Sequence, residues 1–127
     1  MREHFHSASP FEPQIGFSRA LKVGNRILVA GTAPIDPQGE PVVGDAFTQA
    51  HRCFEIAVQA VEALGGRTQD VVRTRMFLTQ VEDWQEVGRA HGEFFRGIDP
   101  VATMVVVKEL LHPDWRVEIE LEAEVEE

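Results

Sequence analysis

The stretch RVEIELEAEVEE, from Arg116 to Glu127, decides the fold. In it, aliphatic residues alternate with carboxylates: Val117, Ile119, Leu121, Ala123 and Val125 against Glu118, Glu120, Glu122 and Glu124. Successive side chains of a strand point to opposite faces, so the pattern predicts one strand with an apolar face and a carboxylate face. Because a row of like charges is unfavourable, arginines of the same sheet or of a neighbouring chain are expected against it.

The rest of the chain supplies the partners of this strand. Two β-rich runs, FSRALKV and RILVAGTAPI, flank Gly24-Asn25 and predict a hairpin. Asp45 is the expected N-cap of a first helix, which Gly65-Gly66 ends. A third strand follows in DVVRTRMFLTQ, then a second helix from about Asp83 to Arg96, then a fourth strand in PVATMVVVKEL. The predicted order is β-β-α-β-α-β-β, with both helices on one face of a sheet of four or more strands.

Composition favours one domain over residues 1–127, with a partly irregular N-terminal arm over residues 1–14. The formal net charge of −9 repels phosphate backbones, so nucleic-acid binding is not expected. A single cysteine, Cys53, allows no intrachain disulfide and is typical of a reducing cytoplasm. No apolar run is long enough to span a bilayer, so no membrane association is expected.

The fourth strand points to an oligomer. Its MVVVK segment, Met104 to Lys108, is too apolar for a strand with one wet face and indicates burial on both sides. Since both helices are placed on one face of the sheet, a second copy of the chain is expected to cover the other.

Four segments, in their order and spacing, resemble the RidA/YjgF family of small trimeric proteins. They are GNRILVAGTAPID, AHRCFEIAVQAVEALGG, DVVRTRMFLTQVEDWQEVGRAHGEFF and RVEIELEAEV, and the resemblance covers nearly the whole chain. It implies an α+β, chorismate-mutase-like fold, in which a mixed β-sheet carries two helices on one face. It also implies a homotrimer whose sheets form a barrel core, with a small-molecule ligand in each cleft between subunits.

The resemblance further implies an activity. Members of the archetypal subgroup hydrolyse reactive imines, or their enamine tautomers, to 2-keto acids and ammonia, without a metal or a cofactor. In them an arginine within Pro-Ala-Arg-Ser binds the substrate carboxylate, and a glutamate of the closing strand places the attacking water.

The family motifs carry over only in part. The glutamate, the second of EIE, falls on Glu120, which becomes the predicted catalytic residue. The arginine motif falls on PVAT, residues 100–103, with Ala102 at the arginine position. A guanidinium is the natural partner of a planar carboxylate. The chain therefore resembles an arginine-lacking subgroup, and weak 2-imino acid deaminase activity is expected.

Four residues are the candidates for substrate binding. Arg75 either binds the substrate carboxylate in place of the missing motif arginine or pairs with the carboxylates of the acidic strand. Arg19 is either a second residue that binds the substrate carboxylate or a surface arginine of the hairpin. Phe17, near the family tyrosine, would line the cleft without a hydroxyl, and Ala30 replaces a family serine. Trp84 lines the cleft or packs the start of the second helix.

Two functions of different kinds remain open. The first is a small hydrolase that acts on an imine, an enamine or a related small metabolite at an intersubunit cleft. The second is a non-catalytic trimer that binds a metabolite or a protein. RNA cleavage, with which some family members are labelled, is disfavoured by the acidic charge and by the lack of a basic stripe.

Overall fold

A six-stranded mixed sheet forms the frame of the protein in the computed structural model, which describes residues 1–126. Its strands are β1 (Arg2–Phe5), β2 (Ala20–Val23), β3 (Arg26–Thr32), β4 (Val71–Leu78), β5 (Val101–Val106) and β6 (Val117–Glu124). Their spatial order is β1-β2-β3-β6-β4-β5, and only the β4–β5 pair is parallel. The predicted closing strand is thus central in the sheet, and its last residue, Glu127, lies outside the described residues.

Two helices, α1 (Ala46–Ala63) and α2 (Trp84–Phe95), pack on the apolar face of this sheet. The predicted N-cap of α1 is confirmed, because the Asp45 carboxylate accepts a hydrogen bond from the Thr48 backbone N–H at 2.8 Å. Phe54 and Phe95 are fully buried and meet edge to face, with ring centroids 5.5 Å apart. On α2, His91 bonds Thr74 of β4 at 2.8 Å, and burial lowers the pKa of His91.

The turn between β2 and β3 shows why a glycine stands there. Gly24 adopts a φ of +62°, which a residue with a Cβ rarely reaches, and Val23 pairs directly with Arg26. The predicted hairpin is confirmed. Further along β3, the register against β6 shifts between Val29 and Thr32, so this strand carries a bulge beside the functional cavity described below.

The two edge strands of the sheet compare differently with the sequence. The arm contains β1, a polar strand paired with β2, which the sequence pattern does not predict. At the other edge, Val101, Val105 and Val106 of β5 are 43–58% exposed in a single chain. The expected cover of this strand by a second copy of the chain stays a prediction.

Trp84 is expected either to line the cleft or to pack the start of the second helix. Its side chain is 54% exposed at the first residue of α2, so it does not pack into the core of this chain, and a place in the cleft stays a prediction. Within residues 1–126, neither helix combines the length and the apolarity that a membrane crossing requires.

Candidate functional site

A cavity of about 670 Å³ lies where the bulge of β3 meets the start of β6. The N-terminal segment after β1, the loop after β3 and the loop before β6 form its walls. Most of the lining is apolar, and the charged side chains that reach it are Arg19, Glu40, Glu118 and Glu120. Because a buried apolar pocket with a few convergent polar groups is the usual form of a small-molecule site, this cavity is the candidate functional site.

Glu118 is a half-buried carboxylate of the cavity, and no residue of the described chain, 1–126, donates a hydrogen bond to it. Burial raises its pKa and the nearby Glu120 adds to that rise, while the Arg19 charge lowers the pKa in part, so that the net shift is upward. The folded state therefore binds this proton more tightly than the unfolded chain does, and folding stability declines as the pH rises through the raised pKa.

Gly31 makes room for the Glu118 carboxylate. A Cβ at Gly31 would collide with Oε2 of Glu118, and the Gly31 carbonyl oxygen on the same residue accepts a hydrogen bond from Nη1 of Arg19. Gly31 lies within the β3 bulge, where the register against β6 shifts. The bulge thus holds a carboxylate and a guanidinium around one glycine, which is an arrangement that bulges next to active sites often provide.

Arg19 is held almost rigidly in the cavity wall. It is 4% exposed, its Nε donates to Glu12 at 3.3 Å, and its Nη1 donates to Oγ1 of Thr32 at 3.1 Å. The Cζ atom also lies 5.4 Å from the centroid of the Phe17 ring. Within the described chain, Nη2 is the guanidinium nitrogen that has no hydrogen-bond acceptor. Since Arg19 lines the cavity, this nitrogen can serve a ligand.

Glu12 fixes both Arg19 and the N-terminal segment. It is 1% exposed and accepts hydrogen bonds from the backbone N–H and the hydroxyl of Ser7, from His6 at 3.1 Å, and from Arg19. Burial opposes ionisation, but the bonds from Ser7, the charge of Arg19 and the bond from His6 outweigh it and lower the pKa of Glu12. A carboxylate with this many donors is charged at neutral pH and ties the cavity wall together.

The acidic face of β6 meets arginines of the same sheet, as the sequence predicts. Nη1 of Arg75 lies 2.9 Å from Oε1 of Glu120 and 3.3 Å from Oε2 of Glu122. Arg26 contacts Glu122 at 2.7 Å, and Glu124 is exposed, as expected for the strand end. The expected reach from Arg75 to Glu120 is confirmed, whereas the location of Glu120 at a subunit interface stays a prediction.

The predicted site residues divide into two groups. Glu120, Arg19 and Phe17 line the cavity together, and Arg75 reaches it only through Glu120. Trp84 is not among the lining residues. Ala102 is exposed on β5, in register with Thr74, and is likewise not part of the lining. Within residues 1–126, no three His, Cys, Asp or Glu side chains cluster closely enough to hold a metal ion.

The structure adds two candidates that the sequence pattern does not single out. Glu118 shares a strand face with Glu120, so alternation alone cannot rank one above the other. The available signal is Gly31, because a glycine inside a strand pattern often marks a bulge or a close approach. The second candidate is Trp115, which lines the cavity and whose buried indole N–H has no acceptor in the described chain. Such a donor costs about 1–3 kcal/mol until something pairs with it.

Comparison with known proteins connects this cavity to a family. The sequence model described as endoribonuclease L-PSP matches residues 7–125. An uncharacterised protein of Streptomyces coelicolor is 38% identical over 117 residues, which cover 92% of this chain and 87% of that protein. A 2-iminobutanoate/2-iminopropanoate deaminase of Dermatophagoides farinae is 33% identical over 116 residues, which cover 89% of this chain and 90% of the relative.

The solved structures agree in fold. A member of the YjgF/YER057c/UK114 family from Mycobacterium tuberculosis superposes with a TM-score of 0.90 at 36% identity, over 98% of this chain and 100% of that one. The α+β fold predicted from the sequence, of the chorismate-mutase-like RidA/YjgF type, is therefore confirmed. With a matching sequence model, similar relatives over most of their length and the same architecture, the chain belongs to the RidA/YjgF family.

Proposed function

We propose that the cavity hydrolyses a reactive imine, its enamine tautomer or a related small metabolite, with Glu118 as the group that transfers protons. The observation that carries this proposal is the Glu118 carboxylate, which lines the cavity without a hydrogen-bond donor from residues 1–126. A general acid or base has to exchange protons with water and substrate, and a carboxylate already bound by arginines is less suited to that task. The similarity to a relative named as an imine deaminase supports the reaction class.

The prediction of Glu120 as the catalytic residue is not tested by this geometry, but the geometry favours its neighbour. Glu120 is committed to Arg75 at 2.9 Å, whereas Glu118 faces Arg19 and Gly31 without such a partner. The raised pKa of Glu118 also makes it a stronger proton acceptor than an ordinary glutamate.

The chemistry requires three proton transfers, and the substrate enters as the protonated imine. A water oxygen bonds to the imine carbon while Glu118 accepts a proton from that water, and the C=N π electrons become a lone pair on the nitrogen. Glu118 then gives this proton to the nitrogen. The C–N bond breaks, ammonia leaves with the electron pair of that bond, and the hydroxyl gives its proton to Glu118 as it becomes the carbonyl of the product. Glu118 finally releases this proton to water, so one carboxylate can perform all three transfers.

A homotrimer is part of the same proposal. The exposed valines of β5 form an apolar edge strand, which soluble proteins normally cover. Three chains of 14.2 kDa give about 43 kDa, and light scattering at micromolar concentration is expected to find this mass. A stable monomer of 14.2 kDa would contradict the trimer.

The activity is tested by generating 2-iminopropanoate and 2-iminobutanoate in situ with an amino-acid oxidase and trapping the remaining imine with semicarbazide. We expect the protein to accelerate the loss of imine over buffer, but about 10²-fold or more below an arginine-bearing homologue, because Ala102 stands at the motif position. Activity equal to that homologue contradicts the role given to Ala102. If every imine tried disappears only at the rate measured in buffer, the result favours the alternative, a non-catalytic module that binds a metabolite or a protein.

A further inference from the structure

Another arginine can replace part of the carboxylate binding that is lost at the motif position. Arg19 is oriented by Glu12, by the Gly31 carbonyl and by Thr32, so its guanidinium is fixed before a ligand arrives. These three acceptors occupy Nε and Nη1 and leave the N–H groups of Nη2 without an acceptor in the described chain. A preoriented guanidinium with free N–H groups is suited to a ligand carboxylate, because little ordering remains to be done on binding.

The size and lining of the cavity set the rest of the ligand. About 670 Å³ is far more space than a three- or four-carbon acid fills. Away from Arg19 and Glu118, the walls are mostly apolar: Phe11, Ile15, Phe17, Ile35, Ile56 and Leu111. A branched aliphatic or aromatic body would bury this surface, whereas a methyl or ethyl group would leave most of it wet.

We propose that the cavity takes monocarboxylates with a bulky apolar body, whose carboxylate is bound by Arg19 rather than by a residue at the motif position. This inference rests on the proposed function of the same cavity, but it concerns binding and can be tested without catalysis. It makes Arg19 the residue that decides whether the site accepts a carboxylate.

Calorimetric binding of stable 2-oxo acids separates the two proposals. The probes are 4-methyl-2-oxopentanoate, pyruvate and the neutral ketone 4-methylpentan-2-one, each titrated into the parent protein and into Glu118→Gln. We expect the branched acid to bind about tenfold or more tightly than pyruvate, because its body covers the apolar wall, and about tenfold or more tightly than the ketone, because only the acid meets Arg19. Pyruvate or the ketone binding as tightly as the branched acid would overturn the inference.

One variant and one control test Arg19. Arg19→Lys keeps the charge but loses the planar guanidinium with its paired N–H donors, and we expect it to bind the branched acid about tenfold more weakly. Arg26→Lys alters an exposed arginine outside the cavity and is expected to bind as the parent does. Circular dichroism identifies a variant that has not folded, and the comparison of acid with ketone in the parent decides the anchor in that case.

The outcomes for binding and chemistry are distinguishable. Tight binding of the branched acid, together with no acceleration of any imine, contradicts the hydrolase proposal and leaves the anchor intact. Imine hydrolysis with parent-like binding in Arg19→Lys contradicts the anchor and leaves the hydrolase intact.

Discussion

Glu118→Gln is expected to lower the rate of imine hydrolysis by about 10²–10⁴-fold, the range that general acid–base catalysis supplies. The substitution keeps the shape of the side chain and removes the group that accepts and returns the proton. The amide still fits against Gly31, so the fold and the oligomer are expected to persist. The measurement is kcat/KM from the semicarbazide trap, with light scattering on the same samples.

Two other glutamates of β6 serve as matched controls. Glu124→Gln changes an exposed residue at the strand end and is expected to leave the rate unchanged. Glu120→Gln leaves an amide oxygen that can still accept from Arg75, and we expect a loss of no more than about tenfold, the size of a weakened charged hydrogen bond. A full loss in Glu120→Gln with a parent-like rate in Glu118→Gln would return the catalytic role to Glu120.

The pH dependence of the parent provides an independent check of this assignment. Glu118 must be ionised to accept the water proton, and its pKa lies above the ordinary value for a glutamate. The rate of hydrolysis is therefore expected to fall as the pH is lowered through that raised pKa. Glu118→Gln removes this titration, so the rate that the variant retains is expected not to fall with pH because of this residue.

The family model is described as an endoribonuclease, but the surface of this chain suits RNA less well than the cavity suits a small molecule. The formal net charge is −9, and the arginines Arg26, Arg73 and Arg75 are engaged with the carboxylates of β6 rather than aligned as a free basic stripe. An RNA backbone would have to displace these pairs before it could approach the sheet face. The cavity, with one fixed arginine and a large apolar wall, is better matched to a small molecule.

Much of the fold could be predicted because local signals agree with the global arrangement. Alternation gives β6, the Gly24-Asn25 turn gives the β2–β3 hairpin, and Asp45 gives the start of α1. The edges of the sheet lack such signals. β1 is a polar segment held by backbone pairing with β2, and the exposed face of β5 cannot be distinguished by composition from a buried one.

The candidate site was less accessible to prediction for a geometric reason. Glu118 and Glu120 lie on the same face of one strand, so their difference comes from what the neighbouring strands bring to them. β4 brings Arg75 to Glu120, and the bulge of β3 brings Gly31 to Glu118. Bulge positions and register are long-range properties, and they were not readable from the spacing of charges in the closing strand.

Gly31→Ala is expected to lower the rate of hydrolysis by about 10²-fold, the loss that a displacement of about 1 Å can cause in a positioned catalytic group. The new Cβ would collide with Oε2 of Glu118, so the carboxylate must move away from its place between Gly31 and Arg19. The loss is expected mainly in kcat, because the apolar side chains that hold the substrate body, such as Phe11, Ile56 and Leu111, are not altered. Single-substrate kinetics separates kcat from KM.

Gly88→Ala is the control, since a Cβ at that position of α2 meets no atom within 4 Å. It should leave the rate unchanged and raise helix stability slightly. The double variant Gly31→Ala/Glu118→Gln decides whether Gly31 acts through Glu118. If it does, the two losses are far from additive, because a carboxylate that has already been displaced contributes little that its removal can take away. Additive losses would mean that Gly31 serves the reaction by a route that does not involve Glu118.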